Sequence, residues 1–131
     1  MSAAFEVVLE SGVDAAGAAR RAIAANDPAL PPAVQDDVSL LVTELVTNAV
    51  LHGGAGMDRP LQLDFWRDHA RIRVEVVDPG TNFEAPSQPM NGDSSGGWGL
   101  FLVDRIADSW GVCPAADGTC VWFELPATAQ P

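Results

Sequence analysis

From Val38 to Val50 the apolar residues Val38, Leu41, Val42, Leu45, Ala49 and Val50 recur with a helical rhythm. Steps of three and four place them on one side of a helix, which the pattern predicts from about Pro32 to His52. A proline near the first turn suits the start of that helix, and Gly53-Gly54-Ala55-Gly56 ends it. Glu44, Asn48 and His52 are each four apart and form a polar stripe on the same helix. An acid, an amide and an imidazole in so apolar a setting are costly unless something binds them. Glu and Asn four apart are also common on water-facing helices, so the stripe alone assigns no site.

The rest of the chain alternates between two rhythms. Ala4 to Leu9 reads as a strand, and the Ala-rich run from Asp14 to Ala25 reads as a helix with Asp14 as its cap. Arg20 and Arg21 suit a solvated face of that helix. Asn26-Asp27-Pro28 and Pro31-Pro32 mark the break before the long helix. Leu61 to Trp66 and Ile72 to Val76 each alternate apolar and polar residues, the signature of half-buried strands. Joined by Arg67-Asp68-His69-Ala70, they predict an antiparallel hairpin with a solvent histidine at its turn. Asp78-Pro79-Gly80 ends the hairpin. Thr81 to Ser95, with two prolines, Asn91, Gly92 and paired serines, is long enough to suggest a lid. Helical spacing resumes from Leu100 to Ala107, a strand begins at Trp110 to Val112, and Asp117-Gly118 makes a turn. Cys120 to Leu125 is a closing strand, and residues 127–131 read as a loose tail. No repeat or linker divides the chain, so residues 1–131 are expected to form one domain.

Composition narrows the functional classes. Hydrophobic residues make up 47% of the chain, too many for a disordered one. A chain of this length buries about two-thirds of its unfolded surface, enough for a core. Seven basic residues against eighteen acidic give a net charge of -11, which argues against direct nucleic-acid binding through phosphates. A basic or neutral macromolecular partner fits that charge better. The sequence contains no Lys and no Gly-x-x-x-x-Gly-Lys-Ser/Thr loop, so it is not a P-loop enzyme. The first residues have neither a basic start nor an apolar core, so no signal peptide is expected. No apolar run is long enough to predict a membrane span. A cytoplasmic location follows as the expectation. Cys113 and Cys120 flank the turn and could lie near each other; free thiols are the expected state in that compartment. Without a matching His pattern they predict no zinc site.

Three clusters stand in order: Glu44 with Asn48, Asp78 with Gly80, and Gly96, Gly97 and Gly99. Placed on a helix, a strand end and a loop-to-helix junction, they resemble the ATP-binding (Bergerat) fold shared by gyrase, histidine kinases, heat-shock chaperones and mismatch-repair ATPases (GHKL). Within that superfamily the short length and motif forms are similar to the anti-sigma-factor serine/threonine kinases, the RsbW/SpoIIAB-like group. The resemblance covers nearly the whole chain. It implies an α/β (α+β) two-layer sandwich, with a mixed, mostly antiparallel sheet and helices on one face.

The resemblance also implies roles. Asn48 would offer an amide oxygen to Mg²⁺, a hard ligand for a hard ion. Glu44, one turn earlier, would accept the proton of an attacking hydroxyl. Asp78 would accept a hydrogen bond from the adenine amino group, with Gly80 letting the base approach the backbone. Gly96, Gly97 and Gly99 would bring the chain close to the phosphates, ahead of a helix N-terminus at Leu100. Thr119 matches the family's Gly-Thr element and would help Asp78 hold adenine, though a β-former at a strand start also explains it. Trp98 would serve as a lid anchor or as packing. His52 would line the pocket or simply favour the helix C-terminus.

The chain departs from many relatives in one respect: Thr81 to Gly99 contains no Arg or Lys. The γ-phosphate would then depend on Mg²⁺, backbone N–H groups and Arg105. Loss of a charged clamp costs orders of magnitude in phosphoryl transfer. Two functions therefore stand open. One is a kinase that transfers the ATP γ-phosphate to a Ser or Thr of an anti-sigma antagonist and sequesters a sigma factor. The other is a nucleotide-gated binding module with little or no transfer. A homodimer is a further expectation from the resemblance, with the exposed face of the first strand as a candidate surface. A histidine kinase core is disfavoured, because no dimerisation helix bearing a phospho-acceptor His precedes the fold.

Overall fold

Among the described residues, five strands form the sheet and three helices cover its inward side. The computed structural model describes residues 3–52, 60–78, 100–115 and 118–128. Its elements are β1 (Ala3–Leu9), α1 (Ala15–Asn26), α2 (Pro32–His52), β2 (Leu61–Arg67), β3 (Arg71–Asp78), α3 (Leu100–Ile106), β4 (Ser109–Ala115) and β5 (Gly118–Pro126). The strand order is β1-β2-β3-β5-β4. All four described pairings are antiparallel, so the sheet is antiparallel rather than mixed.

The register explains the core. Phe5 pairs with Phe65, Phe65 with Val74, Val74 with Phe123, and Phe123 with Trp110. This row runs across all five strands on the helix-facing side. Phe65, Val74 and Phe123 are fully buried in it, and the Phe5 and Phe65 rings stack with centroids 5.0 Å apart. Truncating either buried phenylalanine to alanine would cost roughly 3–5 kcal/mol. The next row holds Leu63, Val76 and Val121. Val38, Leu41, Val42, Leu45 and Val46 of α2 pack down onto these rows. The opposite sheet face carries Ala4, Glu6, Val8 and Trp66, all exposed.

Two local devices set the connections. Gly12 precedes α1 with φ 150°, a backbone conformation that L side chains rarely adopt. In the β2–β3 turn, Asp68 Oδ1 accepts hydrogen bonds from the Ala70 and Arg71 amides, both at 2.8 Å. Those amides hold the Asp68 carboxyl below the usual carboxylate range. His69 is exposed at this turn.

A buried ion pair joins the helical layer to the sheet. Asp27 caps the C-terminus of α1 and is 4% exposed. Both its carboxylate oxygens accept from the Arg67 guanidinium, from Nε and from Nη2 at 2.8 Å. The last strand also runs further than the sequence predicts. Pro126 closes β5, and Ala127 is 5% exposed with its amide donating to Ala70 O at 2.9 Å. The packed chain therefore continues through Ala127, because the β2–β3 turn supplies an acceptor and a wall. Among the described residues no helix is long and apolar enough to cross a membrane.

Candidate functional site

The C-terminal half of α2 lies over the ends of β3 and β5. Leu45 and Ala49 are buried on its sheet-facing side, and Asn48 shares that side at 3% exposure. Both the Nδ2 and Oδ1 atoms of Asn48 are buried with no hydrogen-bond partner among the described residues. A buried polar group left in this way costs about 1–3 kcal/mol. Native interiors rarely accept that cost without a role for the group.

Asp78 is the last residue of β3 and is also 3% exposed. It faces the helices because it continues the inward alternation of Ile72, Val74 and Val76. Its direct cross-strand partner is Thr119, at the start of β5. Leu45, Asn48, Ala49, Val76, Asp78, Thr119 and Val121 together line one narrow cavity of about 10 Å³. This is close to the room that one water needs, so a purine enters only as the walls part. The cavity has apolar walls with a carboxamide, a carboxylate and a hydroxyl at its edges. Such a surface suits a flat, weakly polar ring that carries hydrogen-bonding groups.

Among the described residues, two larger and more open grooves lie elsewhere and lack this chemistry. The groove of about 620 Å³ lies beside the first turns of α2, with Asp37 and Asp108 at its rim. The other, of about 500 Å³, lies against Trp66, Arg71 and Arg73 on the sheet. The basic groups there already engage carboxylates: Arg71 bonds Asp108 and Glu124, and Arg73 bonds Glu75 and Glu124.

The sequence-predicted residues divide into three groups. Asn48, Asp78 and Thr119 converge on the cavity from three elements. Glu44 is one turn away on α2 but does not line it. Four residues of an α-helix advance 400°, so a stripe at that spacing drifts by about 40° per step. The drift leaves Glu44 half-buried at the helix flank while Asn48 points inward. Burial pushes the Glu44 carboxyl above the usual carboxylate range, and no hydrogen bond or ion pair engages it among the described residues. Leu100 opens α3 and is fully buried in the core. Arg105 is exposed near the end of α3, its guanidinium 5.3 Å from the Phe101 ring centroid. Gly80, Gly96, Gly97, Trp98 and Gly99 lie outside the described residues, as does the side chain of His52.

Sequence reasoning did not single out Leu45, Ala49, Val76 and Val121 as cavity walls. Their inward position was legible from the α2 and strand periodicities. Nothing in an apolar residue distinguishes a cavity wall from ordinary core. A metal-ion site built from three or more His, Cys, Asp or Glu residues is absent among the described residues. An isolated amide oxygen such as that of Asn48 is instead suited to complete the shell of an ion that arrives with phosphates.

The sequence that builds this fold matches a known family. The model for the histidine kinase-like ATPase domain matches residues 9–125. The chain belongs to that family. Among solved structures it is similar to "The crystal structure of the RsbU and RsbW domains of Rv1364c from Mycobacterium tuberculosis", with a TM-score of 0.69 at 18% identity. The match covers 93% of this chain and 31% of that one, so this chain spans less than a third of that protein. A comparison with curated protein sequences gives no match.

Proposed function

We propose that the cavity between α2, β3 and β5 receives the adenine of ATP. The buried carboxamide of Asn48, without a partner among the described residues and set across apolar walls from Asp78 and Thr119, carries this reading. Asp78 accepts the adenine amino hydrogen, and Thr119 supports it from the neighbouring strand. Guanine presents an oxo group at that position, and the carboxylate opposes it. Asn48 Oδ1 serves as a ligand for Mg²⁺, whose charge offsets that of the phosphates. Leu45, Ala49, Val76 and Val121 contact the faces of the base.

Glu44 is suited to act as general base on an acceptor hydroxyl. It is close enough to Asn48 to serve the same nucleotide, and its raised pKa improves its match to neutral pH. On this reading the chain is a protein serine/threonine kinase of the anti-sigma-factor type. It transfers the γ-phosphate to a Ser or Thr of an antagonist protein and sequesters a sigma factor in the cytoplasm. The structural neighbour, with its RsbU and RsbW domains, supports that direction. A second reading is a nucleotide-gated binding module that seldom turns over. The absence of Arg and Lys from Thr81 to Gly99, and the stacking of Arg105 on Phe101, favour it.

Calorimetry with Mg-ATP and Mg-GTP tests the nucleotide. Binding of ATP alone is expected, with Asp78→Asn and Asn48→Ala each weakening it at least tenfold. Equal heats for the two nucleotides, or none for ATP, would overturn the reading. Incubation with labelled ATP and candidate antagonist domains then separates the kinase from the gated module. Label transfer that Glu44→Ala abolishes identifies the kinase; binding without transfer identifies the module.

A further inference from the structure

Cys113 of β4 and Cys120 of β5 are direct cross-strand partners. Cys120 is buried at 3% exposure, and Cys113 is half-buried. Facing residues of an antiparallel pair have Cα atoms about 4.5 or 5.5 Å apart, depending on the rung. Either separation lies within the range that a disulfide spans without backbone movement. The rung through Val77, Cys120 and Cys113 is adjacent to the rung through Asp78, Thr119 and Pro114. Two of the three polar residues lining the cavity, Asp78 and Thr119, are therefore one rung away from the sulfur pair, on the opposite side of the sheet.

We propose that Cys113 and Cys120 form a reversible cross-strand disulfide that couples the oxidation state of the protein to nucleotide binding. The coupling rests on the nucleotide reading above; the covalent link does not. The co-reactant is hydrogen peroxide. The more accessible Cys113 sulfur attacks the peroxide oxygen, the O–O bond breaks, and a sulfenic acid and one water form. The Cys120 sulfur then attacks the sulfenic sulfur, the S–O bond breaks, and a second water leaves with the remaining thiol proton. Two thiols are oxidised and one peroxide is reduced to two waters. Burial first, then the neighbouring Cys113 and Glu75, pushes the Cys120 thiol up, so the more accessible Cys113 is the sulfur that meets the peroxide. An added dithiol reverses the bond by exchange.

Once closed, the link fixes β4 to β5 beside Thr119, so the strand end that carries Thr119 can no longer shift as the walls part. Weaker Mg-ATP binding is the expected result. The test treats the purified chain with a small excess of hydrogen peroxide and reads three quantities. Intact mass should show loss of two hydrogens, with peptide mapping placing the link between residues 113 and 120. The melting temperature should rise by roughly 3–8 °C, as expected for closing a short loop. The Kd for Mg-ATP should rise at least threefold, and all three changes should reverse with dithiothreitol. Cys113→Ser and Cys120→Ser should each abolish them while binding Mg-ATP as the reduced parent does. Further oxidation of Cys113 without a link, or a link between two molecules, would overturn the proposal. A link that leaves the Kd unchanged would overturn the coupling. If neither state binds Mg-ATP, the nucleotide reading fails while the mass result still decides the disulfide.

Discussion

Asn48 and Glu44 are one helical turn apart and bear opposite kinds of cost. The Asn48 carboxamide is held out of water with no partner among the described residues. Asn48→Leu keeps the volume and removes the unsatisfied groups. The ligand-free protein should gain about 1–2 kcal/mol in urea unfolding and lose Mg-ATP binding. A loss of stability instead would mean that the amide serves packing. Glu44 is held partly out of water, which raises its pKa. For a carboxyl whose folded pKa is raised, the native state binds more protons than the unfolded one. Stability then falls as pH rises from the ordinary carboxyl value through the raised one. Glu44→Gln should therefore melt slightly higher than the parent at neutral pH. If Glu44 is the base, phosphoryl transfer should drop by about 10²-fold or more, with nucleotide affinity little changed.

At the scale of elements, the Asp27–Arg67 pair joins the end of α1 to the end of β2. Both partners are largely buried, so removing one leaves the other charge without compensation. Arg67→Met should cost about 3–5 kcal/mol, and Asp27→Leu in the same chain should recover much of it. A double-mutant cycle in urea measures this directly. The elements themselves were largely legible. The helix from Pro32 to His52 and the β2–β3 hairpin follow from unbroken periodicities, and the structure keeps those assignments. Strand β4 was read as beginning at Trp110 to Val112 with no end assigned, and it runs from Ser109 to Ala115. Gly111 and Pro114 weaken its local strand signal, and pairing with β5 supplies what propensity does not. Gly111 has its own reason, since a Cβ there would lie 3.1 Å from the Trp122 ring. The meeting of Asp78 with Thr119 was not legible from spacing at all. It depends on β5 entering the sheet beside β3, which only the whole sheet decides. The inward turn of Asn48, and not of Glu44, depends likewise on where the sheet lies beneath α2.

Over the whole molecule the excess of acid is only locally neutralised. Glu124 bonds Arg71 and Arg73, and Arg73 also stacks on Trp122 at 4.2 Å. Burial alone would raise the Glu124 carboxyl, but the two arginines hold it below the usual range. Its contribution is present above the unfolded pKa and is lost as pH falls through the lowered one. Glu44 has the opposite sign, and the net charge of -11 adds general repulsion at neutral pH. Urea midpoints should therefore rise on mild acidification, as Glu44 protonates and repulsion eases. They should fall again once the pH drops below the ordinary carboxyl range. A midpoint that declines steadily from pH 7 downward would contradict this balance.

The strand that comes last along the described chain lies inside the sheet, between β3 and β4. While the protein is being synthesised, the positions for Val121, Phe123 and Leu125 stay vacant until β5 clears the ribosome. Until then β3 is a temporary border and β4 has no neighbour to zip onto. A nascent chain stalled before Phe123 is thus a half-open layer with its aromatic seam uncovered, and it would invite chaperones or proteases. Assembly must wait for β5, so a strand translated after its two neighbours decides whether they can close.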